Sequence, residues 1–212
     1  MKQGKTKQLA VLAMLIALAY VAVALLRVPV FAFLKYEPKD VIIVLGGFLY
    51  GPAAAAVIAA LTSFIEMLTI SDTGLIGFVM NFLSSAAFAC VAALVYKKKH
   101  TLSGAVLGLA GGVVSMTAVM LLWNLILTPL YMGTPRADVA AMLIPVFLPF
   151  NLLKSMLNSA IALLLYRPTV QGLRRANLFP QSTAAPAGKQ KLWVWLAAAA
   201  VLIAGIVLLI VL

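Results

Sequence analysis

Long apolar runs separated by short polar stretches dominate this chain. A membrane-spanning helix needs about 20 apolar residues, because the hydrocarbon core is ~30 Å thick and a helix rises ~1.5 Å per residue. Six runs predict such helices: 9–26, 52–70, 75–96, 102–130, 142–166 and 192–212. The first run is not interpreted as a signal peptide, because it continues into Arg27-Val28-Pro29 without a small-residue cleavage site.

The stretch 40–68 allows two interpretations. As one helix it would be about 43 Å long, which exceeds the hydrocarbon thickness. It also contains Gly51-Pro52, a strong break signal. We therefore predict a short helix over 40–50 and a separate helix from Pro52, where a missing N–H does no harm. This gives seven helices, with a linker before the last.

The distribution of Lys and Arg predicts the orientation, because positively charged short loops stay on the cytoplasmic side. With a cytoplasmic N-terminus, 11 of the 16 basic residues lie inside, four lie outside, and Lys154 lies in the membrane. The five acidic residues all fall at or near the outer face. A single merged helix over 40–68 with an outside N-terminus would give the same charge count, so charge alone leaves both topologies open.

The composition excludes several classes of function. The chain is 65% hydrophobic and 10% charged with a mean hydropathy of +1.12, which indicates an integral membrane protein. Its net charge of +11 is explained by cytoplasmic loops and lipid headgroups, so nucleic-acid binding is not expected. One His, one Cys, five acidic residues and no P-loop provide no catalytic or metal-binding constellation. We expect neither an enzyme nor a bound metal.

Polar residues inside the predicted spans point to a binding site. Asn151 and Lys154 are one helical turn apart on one face, and Asn124, Asn81 and Glu66 are predicted at a similar depth. Charged side chains within a membrane are costly and normally face a cavity, a partner or a ligand. Because these groups share the outer half of the membrane, we predict a pocket that is closed at its inner end.

Two structural alternatives remain for these polar residues. Asparagines in membrane helices often only bond a neighbouring helix, and Lys154 could form a buried ion pair with Glu66. A ligand-binding Lys154 predicts that Lys154→Met leaves expression unchanged or improves it. A Lys154–Glu66 pair predicts the opposite, because the substitution would strand a buried carboxylate.

Several segments resemble the riboflavin-specific S components of energy-coupling factor (ECF) transporters. The resemblance covers about residues 1–170 and implies an all-α fold of six helices, two of them around Gly51-Pro52, with a cytoplasmic N-terminus. The helix over 192–212 is an addition, and Glu37 replaces the usual Asp. The segments are 33–40 (FLKYEPKD), 46–52 (GGFLYGP), Asn81-Phe82, Trp123-Asn124, 129–131 (PLY) and 149–154 (PFNLLK).

The resemblance implies a function in the bacterial cell membrane. The chain would capture riboflavin from outside as a transported ligand, not a cofactor. It would then topple in the membrane when driven by a transmembrane T component and two ATPase subunits. The flavin pyrimidine edge would be met by amides and Lys154, and the ribityl hydroxyls by loop 35–40, Glu66 or Asn81. The predicted substrate-binding residues are Asn124, Asn151, Lys154, Asn81, Glu66, Tyr36 and Asp40.

The first helix carries a candidate docking face for the T component. Ala10, Ala13 and Ala17 would let another helix approach closely, as the family's alanine face does. We divide the chain into a binding domain 1–167, a cytoplasmic linker 168–191 and an extra helix 192–212. The alternative functions are an S component for another vitamin, a partner-independent facilitator and a membrane scaffold.

Overall fold

A computed structural model describes residues 2–31, 34–175 and 192–211, and this part of the chain is mostly helical. A two-stranded antiparallel hairpin follows the first helix, and a π-helical turn, Leu143–Phe147, joins two helices near the end of the bundle. The elements are α1 (Lys2–Leu26), β1 (Val28–Phe31), β2 (Leu34–Tyr36), α2 (Lys39–Tyr50), α3 (Pro52–Thr69), α4 (Gly74–Lys98), α5 (Leu102–Met132), α6 (Arg136–Met142), α7 (Leu148–Arg175) and α8 (Leu192–Val211).

Within the described residues, five helical segments are long and apolar enough to cross a membrane. They are α1, α3, α4, α5 and the continuous rod that runs from α6 through the π-helical turn into α7. The chain is therefore a multi-pass membrane protein. At 12 residues, α2 is about 18 Å long and too short to span on its own. The count of six helices plus one stays a prediction.

The break at Gly51-Pro52 is confirmed. Gly51 adopts a φ of +90°, which favours glycine, and Pro52 occupies the first turn of α3, where its missing N–H leaves no helical bond unmade. The two helices pack against each other and against α1. The merged single helix is therefore wrong. The main core lies between α1, α2, α3, α4, α5 and α7.

Glycines spaced four residues apart bring α4 and α5 into close contact. A Cβ atom on Gly108 would lie 2.5 Å from the carbonyl oxygen of Ala92, and one on Gly112 would lie 2.7 Å from that of Phe88. The two helix backbones therefore lie so close together that only small residues fit between them. Small residues at the contact are a usual feature of helix packing in membranes.

We expect Gly108→Val to destabilise the protein, because the new side chain must push α4 away from α5. Overpacking of this kind costs about 1–3 kcal/mol. Gly111→Val is the matched control, since a Cβ there meets only a Val91 methyl at 3.5 Å. Thermal unfolding in detergent measures both variants. Equal melting temperatures would contradict the proposed packing constraint.

Two elements at the site end of the bundle were not predicted from the sequence. The strands Val28–Phe31 and Leu34–Tyr36 form a hairpin in which Val28 pairs with Tyr36, although a loop was expected here. Its strands of four and three residues are too short for an alternation of apolar and polar residues to be recognised.

The second element is α6, which residues 136–142 form and in which Val139 packs against Leu34 and Phe147. Pro145 lies in the π-helical turn after it, because proline cannot supply a helical N–H.

The last two helices extend beyond the predicted binding domain. α7 continues through Pro168 to Arg175, so the first residues of the predicted linker are helical. Residues 176–191 lie outside the described residues, and the division into domains stays a prediction. α8 packs along α7, where a Cβ on Gly205 would clash with the Leu157 side chain.

Candidate functional site

A cavity opens at the end of the bundle where α1, α3 and α5 end and α4 and α7 begin. Its volume is about 90 Å³, well below the usual ~300–1,000 Å³ of ligand sites. A ring-sized ligand therefore requires the walls to move apart. The apolar walls come from Leu34, Ile76, Met80, Met120, Tyr131 and Phe150, and the uncharged polar groups include Asn81, Ser84, Asn124, Thr128 and Asn151.

The two deeply buried amides of the cavity are oriented by their own helices. Asn151 donates from Nδ2 to the Phe147 carbonyl at 2.7 Å, and Asn124 donates from Nδ2 to the Met120 carbonyl at 2.7 Å. The Oδ1 atom of Asn124 accepts a hydrogen bond from Thr128 at 3.0 Å. Since an amide has two N–H groups and two acceptor lone pairs, each of these side chains keeps hydrogen-bonding capacity for a ligand.

Six buried or largely buried ionisable side chains line the cavity or contact residues that line it. They form an electrically balanced network, which matters because an unpaired charge removed from water is very costly. The cations are Arg27, Lys39 and Lys154, and the carboxylates are Glu37, Asp40 and Glu66.

Glu66 is the centre of one half of this network. It is fully buried and accepts hydrogen bonds from Arg27 Nη2 at 3.0 Å, from Asn81 Nδ2 at 2.9 Å and from Lys39. Arg27 also donates to Glu37 at 3.1 Å, and Lys39 Nζ lies 3.0 Å from Glu37 Oε2. The network therefore joins the ends of α1 and α3 to the start of α2.

Lys154 belongs to the other half of the network. Its Nζ atom lies 3.5 Å from Glu37 Oε2 and 3.9 Å from Asp40 Oδ2. The ion pair between Lys154 and Glu66 that was considered above is not formed, because the carboxylate of Glu66 pairs with Arg27 and Lys39 instead. Both distances are at or beyond hydrogen-bond range, so the ammonium group is charge-compensated yet can still donate to a ligand.

Burial and neighbouring charges set the ionisation of the loop residues. Burial alone would raise the pKa of Glu37, but Lys39, Lys154 and Arg27 outweigh it and lower that pKa. Glu37 is therefore ionised throughout the physiological range. Its contribution to stability is fully present above the ordinary carboxyl pKa and is lost only as pH falls well below it. Burial, with a smaller effect from Asp40, raises the pKa of Tyr36, which stays a neutral hydroxyl.

The predicted site residues fall into two groups. Asn81, Asn124, Asn151 and Lys154 line the cavity. The other three lie behind this wall. Glu66 bonds Asn81 and Asp40 lies next to Lys154, both of which line the cavity, whereas Tyr36 bonds Asn158, which does not.

Sequence reasoning missed the roles of Arg27, Glu37 and Lys39. Charge counting assigned all three to outer loops, whereas Glu37 and Lys39 are almost completely buried and Arg27 is largely buried. Three bases and two acids within 14 residues of an otherwise apolar chain were the available signal.

The predicted docking residues lie on the surface of α1. Ala10, Ala13 and Ala17 are all exposed, whereas Val11 and Leu15 face the core. Because this exposure is found with α8 in place, α8 does not cover the alanine face.

Comparisons with known proteins give consistent results. The profile of the family described as "ECF transporter, substrate-specific component" matches residues 7–166. The chain is 30% identical over 181 residues to the riboflavin transporter RibU of Staphylococcus aureus (strain TCH60), covering 81% of this chain and 94% of the relative. It is 28% identical over 189 residues to the riboflavin transporter FmnP of Bacillus subtilis (strain 168), covering 82% and 99%.

A solved structure also resembles the chain. It is the S component of a bacterial ECF transporter, with a TM-score of 0.69, 28% identity, and coverage of 81% of this chain and 99% of the solved one. The family match includes every predicted site residue and ends before α8.

Proposed function

Because this chain belongs to the substrate-specific S components of ECF transporters, a family of membrane transport proteins that are not enzymes, we propose that it captures riboflavin for import. The two curated relatives are named riboflavin transporters. The observation that carries the proposal is one cavity that combines Asn124, Asn151 and Lys154 with apolar and aromatic walls.

The chemistry of the cavity fits a flavin. The pyrimidine edge of a flavin carries carbonyl acceptors, an N–H donor and ring-nitrogen acceptors, and carboxamides both donate and accept. Asn124 and Asn151 would pair with this edge, while Lys154 would donate to a carbonyl or ring nitrogen. Met80, Met120 and Phe150 would cover the dimethylbenzene ring.

The orientation and the partners complete the proposal. We place the N-terminus in the cytoplasm, because 11 of the basic residues then lie inside, and the cavity then opens to the outside. A T component and two ATPases would supply the energy. Residues 1–167 would form the six-helix binding domain, and α8 would be an addition to it. A partner-independent facilitator would instead show uptake without the ATPases.

The first test is a titration of the purified chain with riboflavin in detergent, without ATP. We expect one-to-one binding with quenching of flavin fluorescence, because the cavity is assembled from this chain alone. Asn151→Leu should weaken binding by ~1–3 kcal/mol, the loss expected when a buried polar edge loses its partner. Much tighter binding of thiamine or biotin would identify an S component for another vitamin. A chain that binds none of these vitamins would contradict the proposal.

A second test concerns the docking face of α1. Ala13→Phe should abolish uptake in cells and leave riboflavin binding by the isolated chain intact, because close helix approach is needed for coupling and not for capture. Ala53→Phe is the matched control, since Ala53 is also an exposed alanine but lies on another helix, α3. Loss of both uptake and binding in Ala13→Phe would indicate an internal packing role instead.

A further inference from the structure

Asn158 lies on α7 one turn beyond Lys154, fully buried, and is not part of the cavity wall. Its Nδ2 atom donates to Asp40 Oδ2 at 3.3 Å and to the Glu37 carbonyl at 3.4 Å. Its Oδ1 atom accepts a hydrogen bond from the Tyr36 hydroxyl at 3.0 Å. One amide thus uses donors and an acceptor to bind three positions of a single five-residue segment, 36–40.

The segment 36–40 connects the hairpin to the first turn of α2 and also supplies both carboxylates that approach Lys154. Asp40 is held from a second side, because Ser85 of α4 donates to its other oxygen at 2.5 Å. The position of the two carboxylates relative to α7 therefore depends on Asn158. The same helix presents Lys154 to the cavity.

The distances around Lys154 make this dependence important. A closer carboxylate would occupy the N–H groups of the ammonium in direct hydrogen bonds, and a more distant one would leave a buried charge uncompensated. Lysine also has a flexible four-carbon stem, so its ammonium group is not positioned without external restraints. The intermediate spacing near 3.5–3.9 Å keeps the ammonium compensated and available to a ligand.

We propose that Asn158 is a positioning residue that locks segment 36–40 onto α7 and thereby fixes Lys154 as a hydrogen-bond donor to the ligand. The inference rests on the proposed binding of riboflavin and adds to it a residue that does not touch the vitamin. Tyr36 and Asp40 act with Asn158 from behind the cavity wall.

The test is a thermodynamic cycle on riboflavin affinity with the full chain in detergent. Asn158→Leu keeps the approximate size of the side chain and removes its hydrogen bonds. We expect it to weaken binding by about tenfold, the order of a buried hydrogen bond to a charged group. Lys154→Met should then cost much less affinity in the Asn158→Leu background than in the wild type, because residues that act as a unit are not additive.

Two further variants make the result decisive. Ser159→Ala is the control, because the adjacent hydroxyl only donates to the Ser155 carbonyl of its own helix and should leave affinity unchanged. If Asn158→Leu does not fold, Tyr36→Phe removes a single hydrogen bond of the same set and enters the cycle instead.

The outcomes separate this inference from the proposed function. Unchanged affinity with a lower melting temperature, or full additivity with Lys154→Met, would overturn the positioning role. A wild-type chain that fails to bind riboflavin would instead refute the proposed function.

Discussion

Lys154→Met is expected to weaken riboflavin binding strongly and also to destabilise the empty protein, in contrast to the unchanged expression predicted from the sequence for a ligand-binding Lys154. A buried hydrogen-bond donor to the ligand is lost, at about 1–3 kcal/mol of binding free energy. In addition, Glu37, Asp40 and Glu66 would face only two cations. Removing one partner of a buried pair costs about 3–5 kcal/mol of folding free energy. Flavin titration and thermal unfolding without ligand measure the two effects.

The double variant Lys154→Met/Glu37→Gln separates binding from stability. It restores equal numbers of buried positive and negative side chains, so the melting temperature should recover while riboflavin affinity stays low. A Lys154→Met protein of normal stability would contradict the charge balance. Recovery of affinity together with stability would mean that Lys154 acts only through the fold.

Lys39→Met is expected to be the most destabilising single substitution in the charge network. Lys39 is fully buried, and its ammonium contacts both Glu66 and Glu37. Its removal leaves buried carboxylates under-compensated, at a cost of about 3–5 kcal/mol. Thermal unfolding and the yield of monodisperse protein in detergent report this loss.

Two companion variants distinguish the loss of buried charge balance from the loss of any lysine. Lys39→Met/Glu66→Gln removes one carboxylate as well and should recover part of the stability. Lys35→Met should have little effect, because its partner Asp72 is largely exposed and surface pairs are screened by solvent. Equal melting temperatures for Lys39→Met and Lys35→Met would show that the buried network does not stabilise the fold.

The sequence predicted those parts of the fold that depend on local patterns. Apolar runs of membrane-spanning length gave the long helices to within a few residues at most ends, and Gly51-Pro52 gave the boundary between α2 and α3. The polar residues of α4, α5 and α7 were predicted to lie together because they share a depth in the membrane, and they line one cavity. That inference needs only the direction of each helix.

The remaining features depend on long-range contacts. Arg27 and Glu66 are 39 positions apart in the sequence, and Lys154 and Glu37 are 117 positions apart. No local pattern therefore reveals which charged residues form pairs. Charges next to helix ends usually lie in solvated loops, and this expectation concealed the buried network. The hairpin and α6 were missed for a related reason, because both are short and are stabilised by packing against other elements.

The equal number of positive and negative side chains around the cavity has an electrical consequence. Riboflavin is uncharged, so the six buried ionisable groups sum to zero with or without it. Each unbalanced charge moved across the bilayer would be subject to about 2.3 kcal/mol per 100 mV of membrane potential. If the protein topples as its family resemblance implies, the loaded site travels as a neutral unit. The movement of the site itself would then carry no net charge through the membrane potential.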